Sequence, residues 1–327
     1  MLQRRRISRA ALGELRSCMA KIPAPQDDSL TYLGGKRSIA TAGAAGESGN
    51  EALIFLSALA KQLSRGPLDL PSFPNVVIRI REAFKNPDIS TDRTVTLVGS
   101  EPLLAARLIK TANSVAFNPT GRRVTELRTA VTRLGQQVIQ GATVAFAIQQ
   151  MKDEPRLRSI AQPLSELWKN SIAVASLCQV IAQRTKVNPE EAFLAGLLHG
   201  IGRLYIFVQA VTSSNSVREQ LATPEFVADW HPSIGKAVLE NWQVGEAIAQ
   251  AVNDQNDVDR TRRDPDLTDV LIVSIFLAKI LPEKAPRVIR IGDFESFRRV
   301  GLTAGDCAVV LRQSEYQLAS LQEALGS

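Results

Sequence analysis

The chain has 327 residues, a formal net charge of +6 and 45% hydrophobic residues, enough apolar material for a substantial core. Aromatic residues make up only 5%, so the core must consist mainly of Leu, Ile, Val and Ala, a composition that favours packed helices. Residues 1–50 carry eight Lys and Arg against four Asp and Glu, a net +4. The remaining residues are therefore nearly neutral, which excludes the broad basic surface of a DNA-binding domain.

The cysteines and the apolar segments predict a cytoplasmic protein. Three cysteines are an odd number without Cys-x-x-Cys spacing, which excludes a disulfide framework and a zinc ribbon. Three arginines at 4–6 resemble the start of a signal peptide, but residues 10–20 contain a glutamate and an arginine and cannot be its apolar part. No segment approaches 18 uncharged apolar residues, so we expect no membrane span.

The first 66 residues are predicted to precede the main domain. Residues 1–50 form a basic tail and linker, and 22–50 are rich in Gly, Ala, Ser and Pro, which is typical of a flexible segment. A short helix is predicted over 51–66, between an N-cap at Asn50 and a stop at Gly66-Pro67. Its apolar residues recur at helical spacing, so we expect it to dock on the domain that follows.

Helical patterns continue from residue 67 onward. Pro74 fits the first turn of a helix with Val77, Ile80 and Phe84 on one face, which Asn86-Pro87 ends. The later predictions, in chain order, are a helix capped by Ser100, a loop over 113–121, a helix from Thr125 that continues through 136–151, and helices over 163–186, 233–254, 266–281 and 303–325.

A further helix has the clearest start signal in the chain. Asn188-Pro189-Glu190-Glu191 combines a cap, a proline at the first position and a glutamate three residues after the cap. Few alternating, strand-like runs are present. The sequence therefore predicts an all-α fold, with a multi-helix domain over 67–265 and a helical extension over 266–327 that packs on it.

The stretch that this helix leads into is similar to a known metal-binding motif. Residues 191–204, EAFLAGLLHGIGRL, resemble the centre of the HD superfamily, where a helix ends in His-Asp and continues as Ile-Gly-Lys-Leu. In HD phosphohydrolases that pair, an earlier His and a later Asp bind one or two divalent metals. Such ligands suit Zn, Mn, Fe or Mg, which activate a water for attack on a phosphate.

Three of these four ligand positions carry other residues. Asn170 stands at or beside the position of the earlier His, Gly200 replaces the Asp of the pair, and Ser274 replaces the later Asp. Only His199 is kept, and the chain has one other histidine, His231. A structural metal contributes about 10–16 kcal/mol through its full ligand set, so one imidazole cannot hold a catalytic ion. We therefore predict no metal, no cofactor and no catalytic residue.

The surrounding motifs point to one branch of the superfamily. The chain is similar to HDOD domains, the HD-related output domains of bacterial signalling, and the matching stretches are 70–74 (LPSFP), 101–114 (EPLLAARLIKTANS), 124–135 and 231–242. Departures are Glu101 for the usual Asp and Asn253-Asp254 where a His pair often stands. HDOD domains commonly lack a complete metal site, which agrees with the lost ligands.

Structural roles are expected for the remaining conspicuous residues. His199 is predicted to interact with the helix dipole or to form a local hydrogen bond at a helix C-terminus. Gly200 is predicted to be a left-handed C-cap, and Gly202 to assist the next turn. We expect His231 to orient a helix entry, and residues 254–266 to form a solvated acidic loop.

The resemblance implies a non-enzymatic regulatory or output domain in bacterial signal transduction, which binds a protein partner or a small signalling ligand. The alternative is a degenerate metal-dependent phosphohydrolase that acts on nucleotides or cyclic dinucleotides. A third possibility is binding of nucleic acid or an anionic surface by the basic N-terminus, which is less favoured than a solvated tail. The partner, the upstream signal and the oligomeric state stay open.

Overall fold

The described part of the chain is entirely helical. The structure is a computed structural model that describes residues 75–86, 88–152, 154–212, 223–242, 244–258, 260–280 and 295–325. No strand occurs in these ranges, which confirms the predicted all-α class. The helices are α1 (Asn75–Ala83), α2 (Thr91–Gly99), α3 (Pro102–Asn113), α4 (Leu127–Lys152), a 3-10 helix (Pro155–Ile160), α5 (Ala161–Ala182), α6 (Pro189–Leu198), α7 (Ile201–Thr212), α8 (Pro224–Asn241), α9 (Glu246–Asn253), α10 (Leu267–Ile280), α11 (Glu295–Val300) and α12 (Ala304–Leu325).

The two N-terminal predictions fall outside the described residues. The basic tail and linker over 1–50 and the docking helix over 51–66 therefore stay predictions.

Helix starts follow their local signals where a cap is present. The Asn188 side chain accepts hydrogen bonds from the backbone N–H groups of Glu190, at 2.8 Å, and Glu191, at 3.3 Å, as predicted. The cap at Ser100 is wrong, because its hydroxyl donates to the carbonyl of Leu97 at 2.6 Å and so ends α2. Helix α3 begins after Glu101 instead.

The helix predicted over 233–254 is in fact two helices. Helix α8 already begins at Pro224, where the Thr223 side chain accepts from the N–H of Phe226 at 3.3 Å, and α9 begins separately at Glu246. Pro232 lies inside α8, so the helix entry predicted at this point is wrong. Burial of the apolar face of α8 compensates for the hydrogen bond that the proline removes.

Helix α4 contains a break that divides it. Gly135 has φ 69° and ψ 170° within the helix, a conformation that side chains other than glycine rarely adopt. The break separates the helix predicted from Thr125 from its continuation over 136–151. It also lets the second part of α4 turn toward α6, against which it packs.

Helix α5 lies at the centre of the core. It packs against α4, α6, α10 and α12, and 13 of its residues are buried. Helix α6 packs against α4, α9 and α10 as well as α5, and α7 packs against α8. The junction between α6 and α7 therefore lies where α5, α8, α9 and α10 converge.

One helical stretch matches a membrane span in length and composition alone. It covers Pro189–Val211, and 78% of its most apolar stretch of 18 residues is buried inside the protein. Burial of this extent is usual for the core helix of a soluble protein.

Candidate functional site

His199 lies at the convergence of these helices, and its ring nitrogens both have neighbours. It is 6% exposed and caps α6 with right-handed helical angles. Its Nδ1 is 2.7 Å from the carbonyl oxygen of Gly196, so Nδ1 carries the proton. The other nitrogen, Nε2, accepts from the Asn170 side-chain amide at 3.3 Å. The nitrogen that would bind a metal therefore faces an amide donor.

The environment of His199 keeps its imidazole neutral. Burial lowers its pKa to about 4, and the cations of Arg203 and Lys279 contribute to the shift, although the hydrogen bond to Gly196 opposes it. A neutral ring has no charge to offer to the helix dipole. Of the two predicted roles, the structure shows the local hydrogen bond.

The glycines beside His199 are required by packing. Gly200 does not have a positive φ, so the predicted left-handed cap is wrong. A Cβ at Gly200 would lie 2.6 Å from the Cδ1 atom of Leu167 on α5. A Cβ at Gly202 would overlap the carbonyl oxygen of His231 on α8 and lie 2.7 Å from the backbone nitrogen of Gly235. Gly202 thus lies inside α7, where the two main chains touch, and forms no turn.

His231 is drawn into the same site by this contact. It is 2% exposed, and its Nδ1 is a buried atom without a hydrogen-bond partner. Burial, followed by the charges of Arg203, His199 and Lys279, holds the pKa of His231 well below its usual value. The two histidines are 32 residues apart in the chain, but the charges of Arg203 and Lys279 act on both.

Ser274 lies on α10 and is satisfied within its own helix. Its side chain is fully buried, and its hydroxyl donates to the carbonyl of Val270 at 2.7 Å. It also forms a side-chain hydrogen bond with Cys178 of α5, a thiol whose pKa burial raises to about 12. This position therefore offers a weak neutral oxygen instead of a carboxylate.

The segment after α9 reaches the site through a residue that sequence analysis did not identify. Gln255 is 3% exposed, and its Nε2 donates to the carbonyls of His199, at 3.2 Å, and Val252, at 2.7 Å. Asp254, by contrast, accepts from the side chains of Gln250 and Asn253, its own neighbours. The Asn253-Asp254 pair is thus held by local contacts.

Two cations complete the site, and sequence analysis identified neither. Arg203 is four residues after His199 on the helical path of α6 and α7, and Lys279 comes from the end of α10. Each lowers the pKa of both histidines, and burial followed by the charge of Arg203 lowers the pKa of Lys279 to about 8.

These residues do not fit a divalent metal. Within the described ranges, no group of three or more His, Cys, Asp or Glu side chains comes together as a potential metal site. At the HD positions, both nitrogens of the His199 imidazole already have hydrogen-bond partners, one of them the Asn170 amide. Gly200 has no side chain, and the Ser274 hydroxyl is bonded to a carbonyl of its own helix. The four positions offer no carboxylate, the ligand that Mg and Mn favour, and the cations of Arg203 and Lys279 would repel a divalent ion.

The acidic loop predicted to be solvated is instead partly buried in an ion-pair network. Asp266 accepts from both guanidinium nitrogens of Arg260, at 2.5 and 2.7 Å. Burial by itself raises the pKa of Asp266, but hydrogen bonds and the charges of Arg260 and Arg262 outweigh this effect and lower it. Asp269, in the first turn of α10, is fully buried and accepts hydrogen bonds from Arg299 of α11 through both oxygens.

Fold and site together define an all-helical, HD-like domain in which the buried His199 lies beside Asn170 and Gly200. The family model of the HDOD domain matches residues 70–258, more than half of the chain. The chain therefore belongs to the HDOD family, as the sequence motifs indicated.

Solved structures show the same fold at low identity. A protein of Shewanella amazonensis SB2B, provisionally named a metal-dependent phosphohydrolase, is 23% identical with a TM-score of 0.58, over 83% of this chain and 99% of that one. An HDOD domain protein of unknown function from Geobacter sulfurreducens is 22% identical with a TM-score of 0.52, over 84% and 96%. A provisionally named signal transduction protein from Marinobacter aquaeolei VT8 is 18% identical with a TM-score of 0.53, over 88% and 68%. No curated protein matches the chain.

Proposed function

We propose that this protein is a non-enzymatic regulatory domain of bacterial signal transduction, which acts through binding of a protein partner or a small signalling ligand. The observation that carries the proposal is the engagement of His199, whose Nε2 accepts from Asn170 while Arg203 and Lys279 act on the ring. In the HD phosphohydrolases the metal ligands are imidazole nitrogens and carboxylates, which must be free to bind the ion.

Metal analysis of the purified full chain tests this proposal. We expect less than stoichiometric Mn, Fe or Zn after dialysis against these ions, because only His199 remains of the HD ligand set. His199→Ala is the matched control, since it removes the remaining HD imidazole. Stoichiometric metal in the natural protein that disappears in His199→Ala would contradict the proposal.

The alternative function is a degenerate phosphohydrolase that acts on nucleotides or cyclic dinucleotides. It is supported by the fold and by the provisional name of the Shewanella relative. Hydrolysis of such substrates in the presence of Mn would favour it if His199→Ala abolished turnover. Activity that persists in His199→Ala would instead come from a contaminant.

Partner binding is proposed to involve a helical surface of the domain. Large apolar side chains are exposed at Leu103 on α3, which is 63% exposed, and at Tyr316 on α12, which is 70% exposed. The two helices pack against each other, and the Val115 N–H donates to Ser320 Oγ at 3.2 Å. Exposed aromatic residues are enriched at protein interfaces, so Tyr316 is the first candidate contact.

Binding to a partner isolated from the native cell tests this surface. Tyr316→Ala is expected to weaken binding, whereas Glu315→Ala, an exposed neighbour, serves as the control. Deletion of residues 1–66 tests whether the predicted docking helix modulates the interaction. Unchanged binding after deletion would contradict the N-terminal part of the proposal, and equal effects of the two point variants would contradict the surface.

A further inference from the structure

The large apolar side chains that face solvent lie on one side of the molecule. Among the residues that the structure describes, they are Leu103 (63% exposed), Val115 (37%) and Tyr316 (70%). Leu103 is on α3, Val115 follows directly after α3, and Tyr316 is on α12, which packs against α3. Single exposed apolar residues are ordinary on a protein surface, whereas a group of them on one side indicates an interaction site.

Two hydrogen bonds fix the position of α3 and its following segment along α12. Arg107 Nη1 donates to the carbonyl of Leu325 at 2.9 Å, and the Val115 N–H donates to Ser320 Oγ at 3.2 Å. Ser320 is one helical turn beyond the exposed tyrosine, so Val115 flanks the middle of α12. Leu103 is one turn before Arg107 on the same side of α3, so it flanks the C-terminal end of α12.

The outer side of α12 carries a narrow stripe of exposed residues. Arg312, Tyr316, Ala319 and Glu323 are all exposed and follow one another at intervals of four, three and four. On an α-helix these positions fall within a sector of about 60°. The opposite side of α12 is buried, mainly against α5. Intervals of this kind are those of the seam between two packed helices. The α3–α12 face consists of this stripe together with Leu103 and Val115.

The order of charges along the stripe makes it complementary to itself. Arg312 and Glu323 stand at its two ends, and neither forms an ion pair with a described residue. When two copies of α12 lie antiparallel about a two-fold axis, Arg312 of each copy faces Glu323 of the other. Tyr316 then faces the small Ala319, which leaves room for the ring. A parallel pair would instead place like charges opposite each other at both ends, which is unfavourable.

From this complementarity we propose that the α3–α12 face binds a second copy of the chain as a two-fold dimer with antiparallel α12 helices. Such a contact uses the same surface on both copies. The inference rests on the proposed function in one respect, since it names a second copy as a binding partner of the helical surface proposed there. The stripe from Arg312 to Glu323 is about 17 Å long. An interface of this size is at the small end of specific contacts, so the dimer is reversible.

Analytical ultracentrifugation of the full chain over a wide range of protein concentration tests the inference. We expect a weight-average mass close to 35.6 kDa in dilute solution, which rises toward twice this value as the concentration increases. If the mass stays that of the monomer up to about 0.5 mM protein, the inference is wrong. Tyr316→Ala removes the ring at the centre of the contact and should raise the dissociation constant by about tenfold or more.

Charge reversal tests the antiparallel arrangement. Arg312→Glu and Glu323→Arg each place like charges opposite each other at both ends, so each should raise the dissociation constant by about tenfold or more. The double variant restores the complementarity and should bind about as tightly as the natural protein, a rescue that a folding defect would not show. Asp229→Arg is the matched control, because Asp229 is an exposed carboxylate on α8 and not part of the face. The inference is wrong if the single variants associate normally, if the double variant is not rescued, or if Asp229→Arg weakens association equally.

Two results separate this inference from the proposed function. A monomeric chain that binds a different protein from the native cell, and loses it in Tyr316→Ala, would overturn the dimer and leave the regulatory function in place. Stoichiometric metal bound through His199 in a chain that still dimerises would overturn the non-enzymatic function and leave the dimer in place.

Discussion

Asp269 should be the most sensitive polar position in the described part of the chain. It is fully buried, and its carboxylate accepts from Arg299 through Nη2, at 2.7 Å, and Nε, at 3.0 Å. The Ser296 hydroxyl donates to it at 3.0 Å, and Arg260 lies 3.4 Å away. The side chain of Arg299 is itself only 6% exposed. Asp269 therefore joins α10 to α11 and to the segment before α10.

Replacement of Asp269 by asparagine removes the buried counter-charge of Arg299 and leaves only Glu295, which is 45% exposed and lies 4.0 Å from the guanidinium. Removal of one partner from a buried ion pair costs about 3–5 kcal/mol of unfolding free energy. For a domain of this size, that loss lowers Tm by roughly 6–20 °C. Because the pair is shielded from solvent, moderate salt should change this difference little.

Urea denaturation and calorimetry of Asp269→Asn measure this loss. Asp264→Asn is the matched control, because Asp264 is exposed in the loop before α10 and should change stability by less than about 0.5 kcal/mol. If Asp269→Asn cost less than about 1 kcal/mol, the buried pairing could not stabilise the junction between α10 and α11 as argued.

Three further outcomes are expected. Gly202→Ala should lower the unfolding free energy, measured in urea, by about 1–3 kcal/mol or more, because the added methyl group overlaps the carbonyl of His231. The control is Gly245→Ala, where a Cβ meets no atom within 4 Å. An unchanged stability of Gly202→Ala would contradict the main-chain contact. Asn188→Ala should cost about 1 kcal/mol through loss of the cap on α6, whereas Asn188→Ser should retain most of the stability. His199 should stay neutral to about pH 5 in an NMR titration, since burial lowers its pKa to about 4. The fold favours the neutral form of His199, so the unfolding free energy should fall as pH decreases from about 6.5 toward 4. His199→Gln should reduce this pH dependence. Titration of His199 above pH 6 would refute its burial.

Local patterns were sufficient for the helical class and for several helix boundaries. The cap, proline and glutamates at 188–191 involve neighbours in sequence, so the start of α6 was predictable. The break at Gly135 and the start of α8 were not, because each depends on how a long helix packs. Pro232 illustrates the limit, since a proline favours a helix start locally, yet the buried face of α8 continues through it.

The candidate site could be predicted only in part for a related reason. The motif placed His199, Gly200 and the position of Ser274, because these follow a recognisable order along the chain. Arg203 lies within the motif, at the position of the Lys in Ile-Gly-Lys-Leu. Lys279 belongs to no local pattern, and only the packing of α10 places it near the site. The glycines were also misinterpreted, since sequence suggests turn conformations, whereas their neighbours come from α5 and α8.

The contact between Gly202 and His231 has a consequence for what may change at this site. The distance between α7 and α8 is set by main-chain atoms, which substitutions outside the two glycines of this contact, Gly202 and Gly235, leave in place. Exchange of the side chains around His199 can therefore alter the charge of the site without altering its walls. A scaffold spaced in this way can keep its shape while the chemistry of the site changes.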